Sequence, residues 1–388
     1  MSRAVEGRTR RARDLTTALA GLVALGLAFA GGYLFLKADA GPERLMTWLY
    51  RRIGLEGQAD AIASRGFDPL AAKLMVAVVA MLLGVGGIWG VYLATNRLVD
   101  QFPDRTARAL RPWVFVGPAV VMLGFYLVFP AVGTLVRALK DDGGVIENLK
   151  FVFTEPDVLS AWRNNVLWIV VGTAGSVLIG LAFATLVDRV KREALAKTFV
   201  FLPLAISMVG AAVIWRFVYY WRPAGEEQIG LLNGVFAALG REPTPFLQTP
   251  VLNTLSLIVV MIWLQTGFAM VVLSAAIKAV PTELLEAARI DGASEPQTFM
   301  RVVLPSIRGA VLTVATTILI AILKVFDIVF VTTGGRFDSD VIANRMFQEM
   351  IRFRNFGRAS MLAVALLLVV VPVMVINVRN LRKQGIGA

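Results

Sequence analysis

Eight long apolar runs divide this chain, and each is long enough to cross a lipid bilayer. A membrane-spanning helix needs about 20 mostly apolar residues, because the hydrocarbon layer is about 30 Å thick. Charged residues make up 17% of the 388 residues, below the roughly 25% of a soluble domain. The sequence therefore predicts an all-α polytopic membrane protein. The eight predicted transmembrane helices are Leu15–Leu36, Leu70–Ala94, Trp113–Val136, Val166–Val187, Phe199–Trp221, Leu252–Ile277, Ala310–Thr332 and Ala359–Val378.

The charges outside these runs are unevenly distributed, and this predicts the orientation. If successive runs cross in opposite directions, one side of the membrane carries twenty Lys and Arg against ten Asp and Glu, whereas the other carries sixteen of each. The short basic loops 97–111, 189–197 and 379–383 all fall on the basic side. Lys and Arg in short loops favour the cytoplasm, so both termini are predicted to be cytoplasmic. This bias accounts for the net charge of +12 without a nucleic-acid partner.

The first apolar run admits two interpretations. The basic stretch Arg8–Arg13 precedes it, and Ala28-Phe29-Ala30 lies within it, which together resemble the cleavage pattern of a signal peptide. The run nevertheless continues to Leu36, which is long for the apolar part of a signal peptide. We favour a retained helix, and the later topology is the same under either interpretation.

The chain contains neither histidine nor cysteine. It therefore has no imidazole to act as a general base near pH 7, and no thiolate to act as a nucleophile or metal ligand. It also lacks the G-x-x-x-x-G-K-[ST] pattern, whose backbone amides cradle nucleotide phosphates. We therefore predict that the chain is not an enzyme and holds no metal or cofactor. Any ATP that drives it must be bound by another subunit.

The predicted cytoplasmic segment 278–309 has the pattern of two short helices joined by a bend. Thr282 can cap the first helix, with Glu283 near its positive end. Asp291-Gly292 can end that helix, because glycine accepts a positive φ at little cost. Ser294-x-x-Gln297 is a capping box that can begin the second helix. A stiff hairpin of this kind can act as a lever between a soluble motor and membrane helices, although an amphipathic interfacial helix would explain the pattern equally well.

This segment resembles the EAA loop of permeases in binding-protein-dependent ABC importers. The resemblance covers about residues 110–380, the last six predicted helices, and implies the fold of a type I importer permease. It also implies a second permease subunit in a heterodimer, two ATP-binding subunits and an extracytoplasmic sugar-binding protein. The matching residues, which the resemblance assigns to coupling with the ATPase, are Glu286, Ala287, Ala288, Asp291 and Gly292, followed by Leu304-Pro305.

The resemblance also suggests how the chain is divided. Residues 1–110 form an N-terminal extension with two transmembrane helices and an external loop. Residues 111–388 form a six-helix permease core that contains the cytoplasmic EAA coupling loop 278–309. This arrangement is similar to the maltose permease, which has two additional N-terminal helices. The loop 137–165 departs from that pattern, because it is short where the maltose permease carries a large external domain.

Further motifs are similar to those of alpha-glucoside permeases, a group of carbohydrate importers. The resemblance implies import of a sugar, and in particular of an alpha-glucoside or a related di- or oligosaccharide. The motifs are Phe201-Leu202-Pro203, Tyr219–Leu232, Ile262–Phe268 and Leu323–Val329.

Polar and ionisable residues inside the apolar runs suggest a solute pathway, because such residues are costly in a membrane. Thr317, Lys324 and Asp327 share one face if the seventh run is a continuous helix, and Lys324 could then pair with Asp327. In the sixth run, Gln265 and Phe268 lie one turn apart and offer an amide and a ring to a sugar. Structural ion pairs, snorkelling to the interface and helix packing are alternative explanations. The resemblance favours the pathway, since the maltose permease places sugar contacts in the span that corresponds to the seventh.

Two rival classes of membrane protein also have many spans. A secondary transporter driven by an ion gradient would need carboxylates within the membrane, and Asp327 is the only acid inside a predicted span. A membrane-embedded enzyme would have poor catalytic options without His or Cys. We therefore predict the permease subunit of an ATP-driven sugar importer, embedded in the lipid of the cytoplasmic membrane. An ABC permease for a solute other than a sugar is the nearest alternative.

Overall fold

The computed structural model describes residues 102–188 and 190–383, together with scattered positions between 47 and 100. The first predicted span, Leu15–Leu36, lies outside the described residues, and Leu70–Ala94 is described only at scattered positions. Every regular element in the described part is helical. Four helices there are long and apolar enough to cross a membrane, or up to six if each of two bent pairs forms one span. The all-helical membrane architecture is thus confirmed, whereas the number of eight spans stays a prediction.

The described helices are numbered in chain order, and short π-helical or 3₁₀ turns connect several of them. They are α1 (Asp104–Leu123), α2 (Phe129–Lys140), α3 (Gly144–Thr154), α4 (Pro156–Leu167), α5 (Thr173–Val187), α6 (Glu193–Phe201), α7 (Met208–Val218), α8 (Leu231–Ala238), α9 (Leu252–Lys278), α10 (Thr282–Ile290), α11 (Glu295–Thr298), α12 (Leu304–Ser306), α13 (Arg308–Leu323), α14 (Asp327–Thr332), α15 (Ile342–Phe347) and α16 (Phe356–Lys383).

The chain forms two compact units, which divide after Pro130, near the start of α2. In the first unit, α1 buries Ala107 and Val114 in a small apolar cluster with Val99. The same helix exposes a long apolar surface further along, including Val121, which is 70% exposed. An exposed apolar surface of this kind is compatible with lipid, because lipid tails are as apolar as the side chains.

The second unit is organised around α9, the 27-residue helix at its centre. More than half of its most apolar window is buried, against 28% or less for the other three long spans. α9 packs closely against α5. A Cβ atom added to Gly180 of α5 would come within 2.4 Å of the Cβ of Ala269 of α9, so only glycine fits at this position. Small residues of this kind let membrane helices approach each other. The main buried core of the unit therefore follows α9 along its length.

The fifth predicted span, Phe199–Trp221, is not one straight helix. α6 ends at Phe201, and a 3₁₀ turn with Pro203 in its first positions follows. α7 then begins under its own cap, because the hydroxyl of Ser207 accepts a hydrogen bond from the backbone N–H of Gly210 at 3.0 Å. The two helical segments meet at an angle of 101°. Proline and a serine cap close together are helix-boundary signals, so the sequence contained the signal for this break.

The seventh predicted span, Ala310–Thr332, is also broken. α13 ends at Leu323 and α14 begins at Asp327. The N–H of Lys324 and that of Val325 donate to carbonyls three residues back, at 3.3 and 3.0 Å, so the helix tightens and stops. The prediction that Thr317, Lys324 and Asp327 share one helix face was therefore wrong. No Gly or Pro marks this break in the sequence, so tertiary packing decides it.

Buried polar side chains join α4 and α9 to the loop 333–341. The Asn164 amide is fully buried and donates to the carbonyls of Asp338 and Asp340 at 2.8 and 2.9 Å. The amide of Asn253, at the start of α9, donates to the carbonyl of Phe337 at 2.6 Å. Because buried backbone groups need hydrogen-bond partners, these amides fix the path of the loop. Burial also raises the pKa of the Asp340 carboxyl to about 6.

Candidate coupling site and solute pathway

The segment after α9 folds into the predicted helical hairpin. α10 ends at Ile290, and Gly292 has a φ of +78°, which is the left-handed conformation that favours glycine. The predicted capping box is also present, since the backbone N–H of Ser294 donates to Oε1 of Gln297 at 2.8 Å. The start of α10 differs from the prediction, because Pro281 occupies the cap position and Thr282 is the first helical residue. The hairpin is therefore a defined, bent unit with capped helices.

Apolar packing fixes the hairpin to the membrane helices. Val280, Val303 and Ile307 are buried at its base. They pack with partly buried side chains of the hairpin itself, such as Leu285, and with Leu181 of α5. Burying an aliphatic side chain contributes about 1.5–3 kcal/mol relative to leaving it exposed. The hairpin can therefore transmit a displacement to α5 and α9 as a packed body.

The opposite side of α10 is exposed and partly apolar. Ile290 is 86% exposed and Leu284 is 47% exposed, and Glu286 and Ala287 lie on the exposed surface with them. Ala288 instead is buried within the hairpin, at 9% exposure. Asp291 and Gly292 are exposed at the bend. Of the five residues predicted for coupling, four are therefore available to a partner, and Ala288 supports the packing of the helix.

A group of ionic side chains lies beside the hairpin, and we call Asp188, Glu193, Lys197 and Lys278 the ionic cluster. The Lys197 ammonium contacts Asp188 at 2.9 Å and Glu193 at 2.7 Å, and Lys278 also contacts Glu193. The hydroxyl of Ser274 donates to Asp188 at 2.8 Å. Lys197 and Asp188 are mostly buried, so mutual pairing is what makes their burial tolerable. The cluster joins the end of α5 and the start of α6 to the end of α9.

The sequence analysis missed this cluster. Glu193 and Lys197 are four residues apart, a spacing that indicates a helical ion pair. Asp188 and Lys278 are separated by ninety positions in the chain, and no local pattern indicates that they meet. The cluster also borders a cavity of about 460 Å³ between the hairpin and α5, which Asp188, Leu285 and Phe299 help to line.

The residues predicted for the solute pathway fall into two groups. Gln265 and Phe268 lie one turn apart on α9, and both are half-buried. Phe268 packs against the main core, whereas the Gln265 amide has no hydrogen-bond partner in the described part of the chain. Between them, Gly267 lets α6 approach, since a Cβ there would lie 2.6 Å from the carbonyl oxygen of Val200. The packing explanation thus applies to Gly267 and Phe268, and Gln265 keeps a free amide.

The second group lies on α13 and at its end. Thr317 is exposed, and its hydroxyl donates to the carbonyl of Thr313 at 2.8 Å within its own helix. Lys324 is exposed and Asp327 is half-buried, and no ion pair joins them among the described residues. The predicted pairing of Lys324 with Asp327 was therefore wrong, because the helix breaks between them. The ammonium of Lys324 lies at the break and has no ion-pair partner in the described part of the chain.

Residues 176–383 match the family of binding-protein-dependent transport system inner membrane components. This match covers more than half of the chain and includes the hairpin, the ionic cluster and α9. The chain therefore belongs to this family of inner-membrane transport components, and it is a permease subunit of an ABC importer. Permeases of this kind are not enzymes, and they work with a substrate-binding protein and partner subunits.

Two relatives cover most of this chain. The osmoprotective compounds uptake permease protein GgtC of Synechocystis is 50% identical over 70% of this chain and 99% of its own length. The alpha-glucoside transport system permease protein AglF of Rhizobium meliloti is 42% identical over 81% of this chain and 99% of its own.

The fold is also similar to that of a solved permease. A chain in the crystal structure of a bacterial alginate ABC transporter, in complex with an alginate pentasaccharide-bound periplasmic protein, matches with a TM-score of 0.61. It is 20% identical, over 71% of this chain and 96% of that one. This similarity confirms the predicted type I permease fold.

Proposed function

We propose that the chain imports a neutral sugar, in particular an alpha-glucoside or a related di- or oligosaccharide. The 42% identity to an alpha-glucoside permease over nearly its whole length supports this substrate class. So does the pair of Gln265 and Phe268 on α9, because an amide and an aromatic ring suit the polar edge and the apolar face of a sugar. In this proposal, Gln265, Phe268, Thr317, Lys324 and Asp327 lie along the solute path.

The hairpin 278–309 couples this path to ATP hydrolysis in a separate subunit. The observation that carries the proposal is the exposed apolar side of α10, where Ile290 is 86% exposed on a packed, capped hairpin. Large apolar side chains exposed in a patch mark interaction surfaces. Glu286 adds a carboxylate to the same surface, and it can orient the docked helix by pairing with a basic residue of the ATPase. Ala287, Asp291 and Gly292 border this surface, and Ala288 packs beneath it.

Because this chain holds the solute path and a separate subunit hydrolyses ATP, the transporter needs several subunits. A second permease completes a heterodimer, two ATP-binding subunits drive it, and an extracytoplasmic sugar-binding protein delivers the solute. Both termini and the hairpin are cytoplasmic, as the basic loops indicate. Residues 1–110 add an N-terminal extension with two transmembrane helices to the permease core 111–388. Alternating access then depends on the different affinities of two states for the solute and for ATP.

Uptake of a neutral osmoprotective compound is a second candidate function. It is supported by the 50% identity to a permease named for osmoprotective compounds, over 99% of that protein. The two candidates share the coupling mechanism and differ only in the solute. Parallel uptake of a radiolabelled alpha-glucoside disaccharide and of a radiolabelled osmoprotectant separates them, because only the transported solute accumulates in the cells.

The coupling role is tested by uptake of the disaccharide into cells that produce the complete transporter. Glu286→Lys reverses a charge on the exposed side of α10, so we expect uptake to fall by about tenfold or more, as for the loss of a charge-assisted contact worth roughly 1.5–3 kcal/mol. Glu283→Lys is the matched control, because it makes the same charge change at an exposed position of the same helix.

Co-purification of the ATPase subunit with each variant completes the experiment. We expect Glu286→Lys to weaken this association and Glu283→Lys to leave it largely intact. Full uptake by an assembled Glu286→Lys transporter would contradict the coupling role. Normal uptake of osmoprotectant without any uptake of disaccharide would leave the coupling role standing and replace the substrate.

A further inference from the structure

A cavity of about 240 Å³ lies at the opposite end of α9 from the coupling hairpin. Three segments build it: the end of α7 with the residues that follow it, the stretch that precedes α9, and the end of α14 with the beginning of the loop 333–341. Two of the lining side chains are arginines, Arg216 and Arg336, and we call this cavity the arginine pocket. The lining residues are Arg216, Tyr219, Tyr220, Trp221, Pro245, Leu247, Gln248, Thr332, Thr333, Arg336 and Phe337.

Among the described residues, the wall of the arginine pocket carries two positive charges and no carboxylate. Arg216 makes no hydrogen bond or ion pair in the described part of the chain. Arg336 donates through its Nε to the carbonyl of Thr333 at 3.2 Å, and its terminal nitrogens have no partner among the residues that the structure describes. The amide of Gln248 is likewise unpaired among the described residues. The pocket therefore offers a surplus of hydrogen-bond donors and needs a ligand that supplies acceptors and negative charge.

Other polar groups of the wall are already used within the protein. The hydroxyl of Tyr219 donates to the carbonyl of Ser256 at 2.9 Å, and the indole N–H of Trp221 donates to the carbonyl of Pro243 at 3.3 Å. These bonds leave aromatic faces rather than polar groups directed at a ligand. Tyr220 and Phe337 are 42% and 47% exposed, so ring surface is accessible. Ring faces of this kind suit the C–H surface of a sugar ring.

The pocket is held in shape before any ligand arrives. Phe337 has a φ of +58° and the next residue, Asp338, a φ of +59°, which is a conformation that non-glycine residues seldom adopt. The bond from Asn253 to the carbonyl of Phe337 and the ion pair between Arg163 and Asp338 at 2.5 Å hold this strained turn. Strain that surrounding bonds maintain is common at binding sites. Preorganisation reduces the entropy lost on binding.

We propose that the arginine pocket binds a carboxylate-bearing ligand about the size of one sugar ring, such as a uronic acid. Arginine recognises a carboxylate through two parallel hydrogen bonds, and two guanidinium groups are present for one anionic ligand. The volume of about 240 Å³ is below the range of roughly 300–1,000 Å³ typical for drug-sized ligands, which limits the occupant to a small one. The site is distinct from the solute path of Gln265 and Phe268, and it does not depend on the substrate proposed above.

The test measures binding of glucuronate and of glucose to the full-length chain in nanodiscs of neutral lipid. The two probes share a ring and differ in a carboxylate, so we expect glucuronate to bind at least about tenfold more tightly at low salt. Its affinity is expected to fall as salt rises, because partly exposed charges are screened. Because binding is measured without transport, the outcome is independent of the coupling and substrate proposals.

Arg216→Gln is the informative variant, because Arg216 is exposed and makes no hydrogen bond or ion pair within the described part of the chain whose loss could disturb the fold. We expect it to weaken glucuronate binding by about tenfold and to leave glucose binding unchanged, since only the carboxylate of glucuronate loses charge-assisted hydrogen bonds to the guanidinium group. Arg241→Gln is the matched control, as Arg241 is exposed and does not line the pocket. Equal affinity for the two probes, absence of glucuronate binding, or equal weakening by both variants would overturn the proposal.

Discussion

The two ends of α9 differ in how their surroundings are stabilised. At its C-terminal end, the hairpin keeps its apolar contacts at the base and leaves Ile290 and Leu284 exposed. At its N-terminal end, the side-chain amides of Asn164 and Asn253 donate hydrogen bonds to backbone carbonyls of the loop 333–341. A surface that docks on another protein can leave apolar side chains exposed until the partner covers them. A buried loop, in contrast, needs hydrogen-bond partners for its backbone carbonyls within the protein. The comparison indicates that the hairpin end is built to be completed by a partner protein, whereas the loop at the other end keeps its backbone path through bonds within the chain and leaves only the arginine pocket for a ligand.

The largest expected effect tests the self-contained end. Asn164→Leu removes the amide that donates to two buried carbonyls, and each unsatisfied buried acceptor costs about 1–3 kcal/mol. We therefore expect a loss of about 2–5 kcal/mol in stability, measured as a lower midpoint of thermal unfolding in detergent. Thr154→Val is the control, since its exposed hydroxyl donates only to the preceding turn of its helix. An unchanged midpoint for Asn164→Leu would show that the loop does not depend on this amide.

The next effect concerns the bend of the hairpin. Gly292→Val places a β-branched residue at a φ of +78°, at a cost of roughly 1–2 kcal/mol, and we expect sugar uptake to fall by about tenfold. Gly292→Asn should keep most uptake, because asparagine tolerates the left-handed conformation and the space around Gly292 is open. Uptake assays on both variants check this. Equal losses would mean that side-chain volume at the docking surface matters, rather than backbone conformation.

A smaller effect is expected in the ionic cluster beside the hairpin. Lys197→Met keeps the aliphatic stem but leaves Asp188 and Glu193 without their shared ammonium. Because Lys278 still contacts Glu193, we expect a moderate loss of stability, about 1–3 kcal/mol as for a broken partly buried charged hydrogen bond. Sugar uptake should fall by a larger factor than the amount of folded protein, because the cluster joins α5 and α6 to α9 beside the hairpin and its loss also weakens the coupling. Arg192→Met, at an exposed neighbouring position, should change neither quantity.

The last effect, which appears only when the pH is changed, is the pH dependence of the loop 333–341. Burial raises the pKa of Asp340 to about 6 from the ordinary value of 3.8 for an aspartate, so the folded state holds this proton more tightly than the unfolded state. The contribution of Asp340 to stability is then fully present below about pH 4 and is lost as the pH rises to 6. We expect Asp340→Asn to remove this part of the pH dependence, worth at most about 3 kcal/mol. Unfolding midpoints from pH 4 to 8 measure it, and parallel profiles for variant and parent would contradict the assignment.

Local signals were enough to predict the hairpin. Its capping box at Ser294 and Gln297 and its bend at Gly292 form as predicted, because each depends on neighbouring residues. The long apolar runs likewise predicted a helical membrane protein, since an isolated backbone in lipid must satisfy its own hydrogen bonds. The break at Lys324 was missed, because no helix-breaking residue marks it and the decision lies in how α13 and α14 pack.

The sequence by itself determined the membrane class, the family motif and the local geometry of the coupling hairpin. Only the tertiary structure decided which side of α10 is exposed, that Ala288 is buried, and that Asp188 meets Lys278 across ninety positions of chain. It also decided the arginine pocket, which draws on three segments that lie far apart in the sequence. The physical reason is the range of the interactions: capping and helix periodicity act over a few residues, whereas burial and ion pairing depend on which helices become neighbours.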